Sequence, residues 1–210
     1  MFVLFLIVFL DILGFGIIFP ILPLLRTAYS LSEVDIGLLV SSFFIASIFG
    51  AIIIGYLSDL FGRKRLLMIS LLFLIISYLG NGVIQYFNNN FSLFLLFRIL
   101  SGFFSGNIAV TFASAANFST QKNMLKNMSI LTAGFTSGFI LGPTIGGILL
   151  EIGSPIMPFY MTALSYLFCL IVVVFFFKEP KYTNNTPTES IIILLKKLLF
   201  NKKILFFVFI

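Results

Sequence analysis

The sequence predicts an all-α protein that crosses a membrane six times, and two observations carry that prediction. Hydrophobic residues make up 60% of the 210 positions and charged residues only 10%, far below the roughly 25% charged of a soluble domain. The apolar residues also fall into runs of about 20, the length a helix needs to cross about 30 Å of hydrocarbon. These runs lie at 2–25, 34–57, 66–86, 91–114, 128–150 and 156–177. A seventh opens at Ile204 and is cut off at Ile210, which reads as a piece of a longer protein.

The basic residues alternate with the spans. Arg63, Lys64 and Arg65 lie after the second run, Lys122 and Lys126 after the fourth, and Lys178, Lys181, Lys196, Lys197, Lys202 and Lys203 after the sixth. The intervening loops hold only Arg26 among Lys and Arg, with Glu33, Asp35 and Glu151. By the positive-inside rule the amino terminus is cytoplasmic. The opening residues are not a signal peptide, because they lack a basic start and carry Asp11 in the apolar core. The chain therefore divides into a six-helix bundle at 1–178, a cytoplasmic linker at 179–203 and the start of a seventh span at 204–210. KEPKYTNN reads as polar linker, and Thr186, Pro187 and Glu189 mark the start of a short basic amphipathic helix on the inner leaflet.

Composition also removes whole classes of chemistry. There is no histidine, and the single cysteine, Cys169, sits inside an apolar run. Imidazole relays and a disulfide framework are excluded, and any group that carries a proton has to be a carboxylate. No phosphate-binding loop supports ATP drive. The net charge of +6 is spread over membrane-flanking loops and forms no basic patch for nucleic acid. No catalytic constellation, metal-ligand cluster or cofactor motif is present, and the chain does not read as an enzyme.

Two charges stand where hydrocarbon should exclude them. Asp11 interrupts FLDILGFGIIFPILPLL and Arg98 opens RILSGFFSGN. An intramembrane charge is expensive and faces a partner or a water-filled space. Counting 1.5 Å per residue leaves about 6 Å of depth between them, a gap that helix tilts of about 20° close. Asp11 is therefore the expected partner of Arg98, the alternative being that Arg98 snorkels to the outer surface.

Four stretches resemble motifs of the major facilitator superfamily. GYLSDLFGRKRLL at 55–67 is similar to motif A through Gly55, Leu57, Asp59, Gly62, Arg63, Lys64 and Leu67, and departs from it at Leu60. Its residues also make local sense. Gly55 gives close helix approach, Gly62 a turn with positive φ, and Asp59 a partner for Arg63, while Lys64 faces the inner leaflet. GFILGPTIGG at 138–147 fills motif C with Gly138, Gly142, Pro143, Gly146 and Gly147. The four-residue spacing from Gly134 onward makes a smooth packing face, and Pro143 allows a bend. The opening stretch matches the first-helix motif of the twelve-span drug:proton antiporters at Leu10, Asp11, Gly14, Gly16, Pro20, Leu22 and Pro23. Arg98, Gly102 and Gly106 match motif B, with Ser101 and Phe104 replacing a frequent glutamine and glycine, and Asn117 a common aspartate.

The resemblance covers the amino-terminal half of such a transporter and implies a division of roles. Asp11 and Arg98 would couple protons, and Gly55, Asp59, Gly62, Arg63 and Lys64 would latch the cytoplasmic side. The expected activity is proton-coupled export of small hydrophobic or amphiphilic molecules across a bacterial-type inner membrane. An exporter of a metabolite or sugar, and a non-transporting scaffold or inactive half, are the alternatives. The expected partners are substrate, protons, lipid, and either a carboxy-terminal six-helix half or a second copy. Tetracycline is not the expected substrate, because Ser77 and Tyr78 stand where its exporters tend to carry an acid–tyrosine pair.

Overall fold

A computed structural model describes residues 1–87 and 90–179. Within them six helical spans are long and apolar enough to cross a membrane, at Phe2–Tyr29, Glu33–Phe61, Arg63–Tyr86, Phe91–Asn117, Met124–Ile152 and Met157–Phe176. The amphipathic helix at 186–203 and the seventh run at 204–210 lie outside the described residues.

The first span is broken and the second is not. Helix α1 (Phe2–Gly16) gives way to a 3₁₀ turn at Phe19–Ile21, and α2 (Leu22–Tyr29) completes the crossing. Pro20 and Pro23 are the second residues of the turn and of α2, where an N–H would have no partner within the helix. Helix α3 (Glu33–Phe61) opens with a capping box. Ser32 Oγ accepts from the Asp35 N–H, while Asp35 accepts from the Ser32 N–H at 2.9 Å. Gly62 then turns the chain at φ +98°, and α4 (Arg63–Phe87) starts at the next residue. The expected loop at 58–65 is thus one glycine long.

The fourth span comprises α5 (Phe91–Ser105) and α6 (Asn107–Asn117), divided at Gly106. Asn90 caps α5 by accepting from the N–H groups of Ser92 and Leu93. The break has a packing cause. A Cβ on Gly106 would strike the backbone of Gly50 and Ala51, and one on Gly102 or Gly50 would strike the facing backbone in the same way. Glycine alone permits α3 and the fourth span to lie this close.

Helix α7 (Met124–Ile152) runs unbroken through Pro143, and α8 (Met157–Phe176) closes the bundle. α1 packs chiefly on α7, α4 on α8, and α3 on α5 and α6. Motif C supplies the α1–α7 contact. A Cβ on Gly138 would lie 2.6 Å from the Phe9 carbonyl oxygen, on Gly142 2.8 Å from Gly16 Cα, and on Gly146 2.7 Å from the Ile17 carbonyl oxygen. Two expectations for glycines fail here. A Cβ on Gly147 or on Gly55 would meet no atom within 4 Å, so neither makes a close helix contact within the bundle. Each lies on a different helical face from its packing neighbours.

Candidate functional site

The middle of the bundle holds a buried polar cluster. Asp11 is 1% exposed and Arg98 0%, and Asp11 is the one buried acid among the described residues. Arg98 therefore does not snorkel. Its guanidinium carbon lies 4.5 Å from the Phe43 ring centroid and 5.5 Å from that of Phe15, and a desolvated cation over aromatic faces gains about 2 kcal/mol.

The expected direct pair of Asp11 and Arg98 is absent. The ion pairs of the described residues are Arg26–Glu33 at 2.7 Å and Arg63–Asp59 at 3.3 Å. Each buried charge instead has neighbours from other helices. Tyr166 of α8 and Asn107 of α6 face the Asp11 carboxylate, while Tyr78 of α4 faces Arg98. None of the Asp11 oxygens, the Arg98 nitrogens or the Asn107 amide atoms has a protein partner with hydrogen-bond geometry. A desolvated charge without such partners is costly. The cluster is therefore suited to gaining and losing a proton.

Beside this cluster lies an apolar slot of about 360 Å³ between α1, α3, the fourth span and α7. Phe15, Phe43, Phe44, Phe135 and Phe139 dominate its lining, with Ser47 and Ser105 as the polar groups. Phe15 and Phe43 are shared: they line the slot and also sit against Arg98. Some of the 29 phenylalanines thus form a pocket wall, a grouping that composition alone did not reveal.

The motif A residues form a second polar site at the ends of α3 and α4. Arg63 Nη2 donates to Asp59 Oδ1 at 3.3 Å, four residues back across the Gly62 turn. Lys64 does not face outward alone. Its Nζ donates to the Val174 carbonyl at 2.8 Å, which ties α4 to the end of α8. Glu179, expected to be simple linker, accepts from the Arg63 N–H at 2.6 Å through Oε1 and from the Lys64 N–H at 2.9 Å through Oε2. It fills the anion position at the α4 amino terminus. Three residues of consequence, Tyr78, Tyr166 and Glu179, are not marked as site residues by the sequence. A glutamate just past an apolar span and tyrosines mid-span are the available signals, and neither specifies a partner. Among the described residues no cluster of three His, Cys, Asp or Glu side chains is placed to hold a metal.

Comparison with known proteins agrees with this architecture. The chain is 35% identical over 161 residues to the quinolone resistance protein NorA of Staphylococcus aureus, covering 76% of this chain and 40% of that protein. It is 34% identical over 158 residues to multidrug resistance protein 2 of Bacillus subtilis, covering 74% and 38% respectively. The chain thus spans about two fifths of the length of these relatives. Among solved structures, the human organic anion transporter MFSD10 (TETRAN) superposes with a TM-score of 0.73 at 25% identity, over 90% of this chain and 49% of that one. The proton:xylose symporter XylE gives 0.70 at 21% identity, over 82% and 44%, a likeness of fold. The family model of the Major Facilitator Superfamily matches residues 4–210, and the chain belongs to that superfamily.

Proposed function

We propose that this chain is the amino-terminal half of a proton-coupled exporter of small hydrophobic or amphiphilic molecules, with Asp11 as its proton-binding group. The observation that carries the reading is the juxtaposition of a fully buried, unpaired acid with a phenyl-lined slot. The wall between them, Phe15 and Phe43, is packed on Arg98. An apolar guest entering the slot presses on that wall, and the position of Arg98 in turn bears on the charge of Asp11. Drug-resistance relatives at 34–35% identity support the hydrophobic substrate class over a sugar or metabolite.

The missing side of the slot belongs to a second six-helix unit, as expected for a cavity built between two repeats near the bilayer midplane. A carboxy-terminal half fits the length of the relatives better than a second copy does. The arrangement of basic loops supports a cytoplasmic amino terminus, and the bacterial relatives support an inner-membrane location. Asp59, Gly62, Arg63 and Lys64 hold the cytoplasmic ends of α3, α4 and α8 and act as the latch.

The test is uptake of ethidium into inverted membrane vesicles carrying the natural polypeptide, driven by an imposed proton gradient. Asp11→Asn is expected to abolish gradient-driven uptake while ethidium binding persists. Uptake equal to wild type would exclude Asp11 as the proton site. A scaffold would instead show no gradient-driven uptake by the wild type.

A further inference from the structure

The proton site proposed above uses the acid and the arginine but leaves two buried phenols without a role. Tyr78 of α4 and Tyr166 of α8 are 2% and 1% exposed, with ring centroids 5.5 Å apart. Their hydroxyls converge on one point of α1. A Cβ built on Gly14 would lie 3.0 Å from Tyr166 Oη and 3.1 Å from Tyr78 Oη. Gly14 follows Asp11 by three residues and shares its helical face. Tyr166 faces Asp11, and Tyr78 faces both Arg98 and Tyr166. Arg98, Tyr78, Tyr166 and Asp11, drawn from four different spans, thus form one buried cluster.

Core packing does not account for the hydroxyls. The Tyr78 hydroxyl has no protein hydrogen-bond partner in this arrangement, and a buried unsatisfied polar group is costly. A phenyl ring would fill the same space without that penalty.

We propose that Tyr78 and Tyr166 are positioning residues that join Arg98 to Asp11 through a hydrogen-bond chain with a single allowed direction. A guanidinium only donates, an ionised carboxylate only accepts, and a phenol can do both. With Asp11 ionised, Arg98 donates to Tyr78, Tyr78 to Tyr166, and Tyr166 to Asp11. When Asp11 takes up a proton, its O–H donates to Tyr166 instead. The reversed chain then ends with the Tyr78 O–H aimed at Arg98, which has no acceptor. Protonation thus opens the chain and uncouples Arg98. The unpartnered Tyr78 hydroxyl and Arg98 nitrogens match the break between them. Both phenols keep their protons throughout, and the only proton bound or released is that of Asp11.

The other groups around Asp11 leave this chain as the main polar route. Cys169 of α8 is its remaining ionisable neighbour, Asn107 of α6 is neutral, and α7 presents Gly134, Gly138 and Gly142 to α1.

The test is infrared titration of the natural polypeptide in lipid nanodiscs, following the protonated-carboxyl band lost in Asp11→Asn. Tyr166→Phe is expected to displace the band and move its titration midpoint by about one pH unit. Tyr78→Phe should move it by less. The double variant should move it no further than Tyr166→Phe alone, because the first break already disconnects Tyr78. An unmoved band and midpoint in Tyr166→Phe would overturn the chain while leaving Asp11 as proton site. A full additive shift in the double variant would also overturn it. If Asp11→Asn removes no titrating band, the proton-site reading falls, and the chain falls with it.

Discussion

The two polar sites of this bundle use similar residues and reach opposite states. At the adjoining ends of α3 and α4, Asp59, Arg63, Lys64 and Glu179 each have a partner within 3.3 Å, although Arg63 Nε and Nη1 are buried without one. In the middle of the bundle, Asp11 and Arg98 are buried and have no hydrogen-bonded protein partner. The first site joins three helix ends into one unit. The second keeps its charges uncompensated, so that a proton, a guest or a shift of one helix changes its energy strongly. Every charged residue of the first site is held by at least one partner, whereas neither charge of the second is.

Breaking the scaffold that frames both sites should have the largest effect. Gly142→Val would drive side-chain atoms into the backbone of Leu13 and Gly16, a cost of about 3 kcal/mol or more. The expected result is loss of folded protein on size-exclusion chromatography in detergent. Gly147→Val, which meets open space in the bundle, should stay within about 0.5 kcal/mol of wild type. Equal behaviour of the two would refute the assignment of the α1–α7 contact.

A sharper test of the contrast uses Arg98→Met, which removes an unpaired buried charge and keeps the volume. Replacing buried ionic groups with apolar residues is often neutral or stabilising by about 1–4 kcal/mol. Thermal unfolding should therefore show unchanged or raised stability, together with lost gradient-driven uptake. A fall of several degrees would mean that Arg98 is well compensated.

At the α3–α4 end the sign reverses. Glu179→Gln weakens the anion at the α4 amino terminus and should cost about 1 kcal/mol, measured as a lowered unfolding temperature. That loss should shrink at high salt. Asp59→Asn should have a smaller effect on stability than Glu179→Gln, because the Asp59 side chain is 50% exposed and solvent screens the pair. On the proposed latch role its consequence belongs in the rate of conformational exchange, which fluorescence transfer between labels on this bundle and on the proposed carboxy-terminal half would report.

What the sequence makes legible follows the range of the interaction. The six spans are readable because hydrocarbon imposes length and apolarity on each helix separately. Gly62 and the Asp59–Arg63 pair are readable because a turn and an i,i+4 contact are local. Glu179 is not, since its partners lie 116 and 115 residues earlier. The tyrosines are hidden for the same reason, as mid-span Tyr gives no sign of which helix it will meet. Proline and glycine give mixed guidance. Pro20 and Pro23 mark the real break in the first span, yet α7 passes through Pro143 and the other break falls at Gly106, where α3 approaches. The burial of Asp11 and Arg98 follows from their place in the apolar runs, but the two phenols that neighbour them depend on packing among four spans.

The central claim, that the buried acid carries the transported proton, is tested most directly by proton release on guest binding. The natural polypeptide in weakly buffered detergent solution would be mixed with ethidium and the pH change recorded, beside Asp11→Asn under identical conditions. Protons should be released by the wild type and not by the variant, with ethidium bound in both. Equal release by the two proteins would contradict the claim.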